Sequence, residues 1–429
     1  MNQRMTFTSA TLYDGVNDKQ TGMTVVVDGQ DIVAVGRDVS PGATDLHYDL
    51  GGRTIMPGMT IGHWHGEFVD IGPPYFDRRG GLFLGTEKPP AILALQAAAA
   101  LRTALYSGIL RVIGASCSAN LDAQMRMAID SGLIEGPHVT PSSRHVVTTG
   151  DGEDRGLWWC SPAPVQDGIH RFGHNVFADG PDDLTKAVRE EILFGAEVIK
   201  IIPTGGHGFP WSHKYRGLNS RELATIVNAA HERDARVRAH VTTKESIMEC
   251  IEVGVDILDH CDYLDEKCIE AMVKHGTYFV PSQLFATLVS PAAKGATPDL
   301  SNQADRAWVN MLEMLPKANA AGVKIVTGDD FGAQGMPHAL GEYARELKLY
   351  VDAFGIPAED VIRWTTANGA EMALVGESTG TISVGKKADL LVVDGDPGDD
   401  IGLLCNVDNL KMIIQRGHVV KDELRHLAL

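Results

Sequence analysis

The stretch Val198-Ile199-Lys200-Ile201-Ile202 is a short apolar run with a single charged residue at its centre. A helical segment follows, in which apolar residues from Leu223 to Ala230 recur on one face. A second apolar run then begins, Val237-Arg238-Ala239-His240-Val241. A strand, a helix and another strand in succession are typical of parallel strands that are joined by crossover helices. This part of the chain therefore predicts an α/β fold.

The same alternation extends in both directions from this stretch. Further apolar runs lie near Ile61, Val112 and Val139, and later at residues 255–260, 277–281 and 323–328. Together these runs make eight candidate strands with helical segments between them. Eight such units fit a (β/α)8 TIM barrel better than an open sheet, and the barrel is predicted to occupy residues 58–375.

The two ends of the chain differ from this middle part. Residues 24–36 are two β-branched runs joined at a glycine-containing turn, and residues 388–393 and 412–420 also have the character of strands. Both ends are rich in strands and poor in helical patterns. We expect residues 1–57 plus 376–429 to form one small β-sandwich domain that is built from both chain termini.

The composition limits the classes of partner. Hydrophobic residues make up 44% of the chain and charged residues 22%, which is typical of a globular protein with a large core. Lysine and arginine number 38 against 56 acidic residues, so the net charge is −18. Such an acidic surface argues against nucleic acid and membranes as partners. The six cysteines are scattered and no secretory segment is visible, so we expect a cytoplasmic protein.

Potential metal ligands stand at the ends of several predicted strands. His63 and His65 are two residues apart, so in a strand they point to the same face. Any one of these residues alone would more often be structural: an exposed histidine, or a lysine that reaches solvent. Together they are six nitrogen and oxygen donors, which predicts a metal site: His63, His65, Lys200, His240, His260 and Asp330. Lys200 lies within an apolar run. If it does not reach solvent, it could be a neutral amine that carbon dioxide converts to a carbamate.

These motifs resemble those of the amidohydrolase superfamily, and the resemblance covers essentially the whole chain. The matching residues, in chain order, are Gly52-Arg53-Thr54-Ile55-Met56-Pro57-Gly58, His63-Trp64-His65, Lys200, His240, His260, Gly328-Asp329-Asp330 and Gly380-Thr381-Ile382-Ser383-Val384-Gly385-Lys386-Lys387-Ala388-Asp389-Leu390. Within the superfamily, Ala178-Asp179-Gly180 and Leu264-Asp265-Glu266 are similar to the binuclear, imidazolonepropionase-related group of Xaa-Pro dipeptidases and carboxypeptidases.

The resemblance implies two divalent cations, with zinc as the default and manganese or cobalt as alternatives. His63, His65 and Asp330 would hold one cation, and His240 and His260 the other. Carboxylated Lys200 would bridge both cations together with a hydroxide. Asp330 would be the catalytic residue that takes the proton of this hydroxide and passes it to the leaving nitrogen. Its neighbour Asp329 is expected to point elsewhere. Relatives commonly form tetramers or larger homo-oligomers.

Residues for substrate recognition are less sharply defined. His145 lies in a segment, residues 144–154, that is predicted as the loop after the third strand, and His207 follows the fourth strand. Tyr215 and Arg216 could hold a carboxylate or carbonyl group, although a solvated loop would explain each of these residues equally well. The nearby aromatic residues favour an apolar or aromatic substrate: Trp158, Trp159, Phe209 and Trp211.

The predicted function is hydrolysis of an amide-type C–N bond in a small molecule, such as a dipeptide or an N-acyl amino acid, by a metal-bound hydroxide. A xenobiotic urea, carbamate or thiocarbamate is an alternative substrate. A mononuclear deaminase or cyclic-imidate hydrolase is a second alternative, but such enzymes lack the bridging lysine. A scaffold without activity is a third, and the six intact donor positions argue against it.

Overall fold

The computed structural model describes residues 4–69, 88–150, 173–207, 212–333 and 335–424. The strands are β1 (Met5–Leu12), β2 (Gln20–Asp28), β3 (Asp31–Gly36), β4 (Leu46–Asp49), β5 (Thr54–Pro57), β6 (Met59–Trp64), β7 (Ile109–Gly114), β8 (His138–Thr140), β9 (Ser142–Val147), β10 (Asn175–Phe177), β11 (Val198–Ile201), β12 (Arg236–Val241), β13 (Ile257–His260), β14 (Tyr278–Val280), β15 (Lys324–Ile325), β16 (Leu390–Val393), β17 (Leu410–Gln415) and β18 (His418–Asp422). The α-helices span Pro90–Tyr106, Leu121–Asp130, Gly180–Leu193, Ser220–His231, Lys244–Val253, Glu266–His275, Gln283–Val289, Gln303–Ala320, Ala344–Asp352, Ala358–Arg363 and Gly369–Met372.

A seven-stranded parallel sheet carries most of the predicted site. Its strands lie in the order β10-β9-β11-β12-β13-β14-β15, and each neighbouring pair is parallel. Strands β6, β7 and β8 form a second sheet. Helices separate β6 from β7, β7 from β8, and each consecutive pair from β10 to β15, as expected for crossover connections. The predicted α/β class is confirmed.

The third predicted strand differs from the prediction. It is divided at Pro141 into β8 and β9, and residues 144–147, predicted as part of a loop, lie inside β9. That prediction is wrong. The reason is that β9 is a buried strand with polar side chains, in which the guanidinium of Arg144 lies 2.7 Å from the carboxylate of the equally buried Glu191. A strand whose charges are paired internally lacks the apolar run by which buried strands are recognised.

Local sequence explains where individual helices begin and end. Asn219 accepts hydrogen bonds from the backbone at the start of Ser220–His231, and Glu222 bonds back to the Asn219 amide, which completes a capping box. Thr243 caps Lys244–Val253 in the same way. That helix ends at Gly254, whose φ of 95° is a left-handed conformation that favours glycine.

The strands near both ends of the chain form one eight-stranded sheet, in the order β18-β17-β16-β5-β1-β2-β3, with β4 also paired to β1. The central strand β1 changes its partner along its length. Residues 5–8 pair with β4, whereas Thr11 and Leu12 pair with β5. Between them Ser9 has a φ of 55°, which bends the strand at an irregularity in its pairing with β2. Phe7 and Tyr48 stack within the core of this sheet, with ring centroids 5.2 Å apart.

The described residues divide into two compact units. One consists of Met1–Gly62, Arg102–Val112 and Ala339–Leu429, and the other of His63–Leu101 and Ile113–His338. The predicted domain boundaries, at residues 57 and 375, stay a prediction. Of the helices in the described ranges, none is both long and apolar enough to cross a bilayer.

Candidate active site

The predicted donors lie in or after strands of two sheets, β6 of the three-stranded sheet and β11, β12, β13 and β15 of the seven-stranded sheet. His63 is near the end of β6, Lys200 lies in β11, His240 in β12, and His260 is the last residue of β13. Asp330 follows β15 after a short connection. Because the carboxyl ends of parallel strands meet at one edge, the fold brings together residues that are far apart in the sequence.

Three of the donors converge on one point. The Nε2 atom of His63 lies 2.7 Å from Oδ1 of Asp330, and Nε2 of His65 lies 3.1 Å from the same oxygen. The two Nε2 atoms are 3.1 Å apart. The shared direction of His63 and His65 is the consequence of their spacing along a strand. His63, His65 and Asp330 form a group that could hold a metal ion.

The backbone orients the ring of His65. His65 Nδ1 lies 2.9 Å from the carbonyl oxygen of Ser116, which can only accept, so Nδ1 carries the hydrogen and Nε2 carries a lone pair. Burial lowers the pKa of His63 to about 4, so this ring is neutral at pH 7. Removal from water would raise the pKa of Asp330, but the neighbouring His63 and His65 hold it well below its usual range. Lone pairs and a carboxylate that face each other at these distances fit a bound cation.

His240 and His260 extend the cluster on the side of His63. The ring centroids of His240 and His260 are 4.5 Å apart, and those of His63 and His260 are 5.4 Å apart. Burial is the main reason why the pKa values of His240 and His260 lie well below the usual range. Among the described residues, no hydrogen-bond partner lies near the buried Nδ1 of His260. Two neutral buried imidazoles, one of them with an unpaired nitrogen, have the chemistry of metal ligands.

Lys200 belongs to a compact group of charges next to these histidines. Its Nζ atom lies 2.6 Å from Oδ2 of Asp259, and the same carboxylate accepts hydrogen bonds from Arg238. Burial lowers the pKa of Lys200, and the charge of Asp259 opposes this effect. Asp259 Oδ1 is 3.7 Å from His63 Nδ1, so this group of charges lies directly beside the donors His63, His65 and Asp330. The structure therefore gathers all six predicted donors in one region.

The two adjacent aspartates point to different partners. Asp329 is fully buried and its carboxylate accepts hydrogen bonds from the backbone amides of Phe285 and Asp330. The side chain of Asp330 instead contacts the two histidines and keeps 21% of its surface exposed. Asp329 is therefore engaged by backbone amides, whereas Asp330 is engaged by the two histidines.

His145 and His207 both lie near the cluster, but their ring nitrogens are occupied. His145 Nε2 is 2.8 Å from the hydroxyl of Ser116, and its Nδ1 is 3.2 Å from Asn175. His207 stacks on His260 and contacts Asp262 through Nδ1, at 2.7 Å, and the Ser282 carbonyl through Nε2. Burial would lower the pKa of His207, but the charge of Asp262 outweighs burial and raises it to about 9.

The remaining candidates for substrate binding have other contacts. The Tyr215 hydroxyl donates to the carbonyl of Gly150, 3.0 Å away. The exposed Arg216 is bound by both carboxylate oxygens of Glu249. Substrate roles for His145, His207, Tyr215 and Arg216 stay predictions. The aromatic residues Trp158, Trp159, Phe209 and Trp211 lie outside the described residues.

Some residues of the site were not predicted from the sequence. Arg238 alternates with His240 along β12 and interrupts an apolar run, so the reasoning that singled out Lys200 applies to it as well. Asp259 directly precedes His260 and offered a similar signal. His174 lies next to the short strand β10 and has no motif around it, so only the structure reveals its contact with Ser116.

Comparison with known families matches residues 39–420 to the amidohydrolase family. Ochratoxinase of Aspergillus niger is 29% identical over 361 residues, which cover 81% of this chain and 71% of that protein. Imidazolonepropionase of Streptomyces avermitilis is 21% identical over 405 residues, which cover 92% and 86% of the two chains. The crystal structure of a Xaa-Pro dipeptidase with bound methionine aligns with a TM-score of 0.80 and 25% identity, over 98% of this chain and all of that one.

These findings confirm the resemblance that the motifs predicted. The family match spans most of the chain, and its members generally use metal ions, in agreement with the donor cluster at His63, His65 and Asp330. The match and the enzymes found among the relatives support a hydrolase that acts on amide bonds. The chain belongs to the amidohydrolase family and is a hydrolytic enzyme.

Proposed function

We propose that the protein is a metal-dependent amidohydrolase that cleaves an amide-type C–N bond of a small molecule, and that its parallel strands close into a (β/α)8 barrel. The observation that carries the proposal is the convergence of His63, His65 and Asp330 within hydrogen-bonding distance of one another. Their nitrogen and carboxylate donors fit a cation, and the nearby His240 and His260 supply a second set of donors.

The proposed cations are two zinc ions, with manganese or cobalt as alternatives. His63, His65 and Asp330 would hold one ion, and His240 and His260 the other. Lys200 would bridge them after its neutral amine forms an N–C bond with carbon dioxide and loses one proton. Burial favours the neutral amine that this reaction needs. Two such metal ions, when bound, lower the pKa of a coordinated water and polarise the scissile carbonyl.

Asp330 is placed to move the proton. Among the three converging side chains it is the most exposed, at 21% against 2% for His63 and 5% for His65. This greater exposure supports a role for Asp330 in contact with the substrate. We infer that Asp330 accepts a proton from the attacking water and delivers it to the leaving nitrogen, because an amine leaves poorly as an anion.

Dipeptides and N-acyl amino acids are the proposed substrate class. Support comes from the similarity to a Xaa-Pro dipeptidase, whose name states that it acts on a dipeptide. Ureas, carbamates and thiocarbamates, which also present a carbonyl bound to nitrogen, are the alternative substrates. A homo-oligomer of four or more chains, a cytoplasmic location and the absence of nucleic-acid and membrane partners also remain predictions.

A substrate screen tests this proposal. Protein supplied with zinc and bicarbonate is incubated with Xaa-Pro and other dipeptides, N-acyl amino acids, aryl ureas, carbamates and thiocarbamates, and amine release is followed by mass spectrometry. We expect hydrolysis of the first two classes, its loss on chelation and its recovery with added zinc. Turnover of the ureas or carbamates alone would replace the substrate assignment.

Metal counting separates the proposal from the mononuclear alternative. The proposal expects two zinc ions for each chain of active protein, because the five histidine and aspartate donors and Lys200 form two sets. A single tightly bound ion with full activity would favour a deaminase or cyclic-imidate hydrolase. Inactivity on every class, in protein that holds both ions, would contradict the assignment as a C–N hydrolase.

A further inference from the structure

Ser116 has a strained backbone at the edge of the metal cluster. It follows β7, is completely buried and has a φ of 141°, a region that residues other than glycine rarely occupy. Backbone strain of this kind persists only where surrounding contacts hold it in place. The contacts of Ser116 must therefore hold this backbone conformation in place.

The carbonyl group of Ser116 orients a predicted metal ligand. It accepts the Nδ1 hydrogen of His65, at 2.9 Å. This hydrogen bond selects the tautomer of His65 in which the lone pair of Nε2 faces Asp330. Partners of this kind, which bond to the second ring nitrogen of a histidine ligand, commonly set its orientation and its basicity.

The hydroxyl group of the same serine is held by two further histidines. Its Oγ atom lies 2.8 Å from Nε2 of His145 and 2.5 Å from Nε2 of His174. On its other side, Nδ1 of His174 lies 3.4 Å from the carboxylate of Glu67, and this carboxylate accepts the backbone amide of Ser118, at 2.8 Å. All of these side chains are buried.

The Ser116 hydroxyl lies between two imidazole nitrogens, and the Ser118 hydroxyl and Glu67 both lie at Nδ1 of His174. The Glu67 carboxylate is an acceptor, so Nδ1 of His174 carries the hydrogen and its Nε2 accepts the hydroxyl hydrogen of Ser116. Nδ1 of His145 faces Oδ1 of Asn175, an acceptor, so Nδ1 carries the hydrogen and Nε2 of His145 is a second acceptor for the Ser116 hydroxyl. The hydroxyl group is thereby fixed from two sides, and the strained backbone that presents the carbonyl to His65 is fixed with it.

We propose that Ser116, His174 and Glu67 form a positioning relay that holds His65 in the orientation and tautomer required of a metal ligand. Glu67 orients His174, His174 and His145 anchor the Ser116 hydroxyl, and the anchored residue keeps its carbonyl on His65. Without the hydroxyl, the side-chain contacts with His145 and His174 are lost and the carbonyl is no longer held on His65, whatever residue occupies the position. The inference rests on the proposed function, because His65 is taken as a zinc ligand there.

A pair of substitutions separates the relay from a merely structural role. Ser116→Ala and Ser116→Gly both remove the hydroxyl, but glycine tolerates the positive φ and alanine does not. We expect both variants to bind zinc about 10-fold or more weakly, measured by competition with a chelator. We expect the glycine variant to unfold at a higher temperature than the alanine variant. Zinc affinities that follow the order of the unfolding temperatures, or that stay within about twofold of the unsubstituted protein, would overturn the proposal.

A second variant keeps the proposal testable if the changes at Ser116 prevent folding. His174→Gln cannot contact Glu67 and Ser116 at once with the geometry of an imidazole, so it should also weaken zinc binding about 10-fold. The matched control is His231→Gln, a partly exposed histidine that pairs with Asp256 outside the site and should leave zinc affinity unchanged. Equal zinc affinity of His174→Gln and the control would refute the relay.

The readout distinguishes the relay from the proposed function. Zinc affinity is measured without substrate, so a fully loaded protein that hydrolyses no amide would refute the function but not the relay. Conversely, an active zinc enzyme whose affinity for zinc is indifferent to Ser116 and His174 would refute only the relay.

Discussion

Asp259 carries the negative charge that balances the buried guanidinium of Arg238, and it also contacts the amine of Lys200. Its carboxylate contacts Lys200 and Arg238, and each of the three side chains is almost inaccessible to solvent. Burial would raise the pKa of Asp259, but the charges of Arg238 and Lys200 hold it far below the usual range. Ions this deeply buried are tolerated only as a matched group, so the loss of one member leaves the others unpaired.

Substitution of Asp259 by alanine should therefore destabilise the protein severely. We expect the free energy of unfolding to fall by about 3–5 kcal/mol, as measured by urea denaturation, because the guanidinium of Arg238 would then be buried without a counter-ion. The control is Asp352→Ala, an exposed aspartate paired with Lys348, which should cost less than about 1 kcal/mol. Similar losses for both variants would contradict the importance of burial.

Lys200 should be essential for turnover if it bridges the cations. We expect Lys200→Ala to lower kcat/KM by about 100-fold or more on the best substrate of the screen, because both metal ions lose a shared ligand. Lys244→Ala serves as the control, since this exposed lysine pairs with Asp265 away from the cluster. A rate close to that of the unsubstituted protein would rule out the bridging role.

At the residue scale, the sequence predicted those members of the site whose chemistry is visible in a strand. His63 and His65 were found because side chains in a strand alternate, and Lys200 because a charge interrupts an apolar run. Ser116 and His174 could not be found in this way. A serine and a histidine in irregular segments have no periodic signal, and their meeting depends on how separate loops fold back.

Among the elements, β9 shows how a strand can be buried without being apolar. Ser142 in this strand donates from its amide and its hydroxyl to the carboxyl group of Asp122, which lies in the helix Leu121–Asp130. The pKa of Asp122 is raised to about 8, mainly by burial and secondly by the nearby charge of Glu67. The carboxyl group that joins this helix to β9 is therefore protonated at neutral pH.

This elevated pKa predicts a stability that depends on pH. An unfolded aspartate loses its proton near pH 4, whereas Asp122 in the native protein keeps its proton up to about pH 8. The contribution of Asp122 to stability is therefore fully present below about pH 4 and is lost progressively as the pH rises towards 8, by at most about 1.4 kcal/mol per pH unit.

Asp122→Asn removes the titrating group and should remove this dependence. Urea unfolding of both proteins at pH 5, 6, 7 and 8 should show the asparagine variant gaining stability relative to the unsubstituted protein at each step upward. A difference between the two proteins that is constant over this range would show that the native carboxyl group is ionised throughout.

The contrast between predicted and missed elements has a physical reason. Strands β11 to β14 were predicted because each is an apolar run followed by a helical pattern. By comparison, β9 was assigned in part to a loop and β10 was missed, because hydrogen bonds and ion pairs satisfy their polar residues instead of solvent. Such compensation depends on partners such as Glu191, which are distant in sequence.

For the whole molecule, the sheet built from both ends of the chain is an independent source of stability. Phe7 is completely buried in its core and stacks on Tyr48. We expect Phe7→Ala to reduce stability by about 3–5 kcal/mol, because a large cavity would replace the ring. Differential scanning calorimetry should show a clear fall in the unfolding temperature.

The exposed Val16 provides the comparison for this change. It is 60% exposed, so Val16→Ala should alter stability by no more than about 0.5 kcal/mol. If the two variants unfolded at the same temperature, the terminal sheet would not contribute a packed core. The participation of both chain ends in one sheet was foreseen from their shared strand-rich composition, whereas the change of partner along β1 depends on an irregularity at Ser9 that the sequence does not signal.

The pairing of β5 with β16 also constrains folding during translation. The hydrogen bond from Thr54 to the Gly395 carbonyl joins residues that are 341 positions apart. During translation β5 emerges from the ribosome long before β16. The apolar face of β5 therefore stays exposed while the intervening residues are synthesised. Completion of this sheet is therefore a late event, and nascent chains that stall before β16 are natural clients for chaperones.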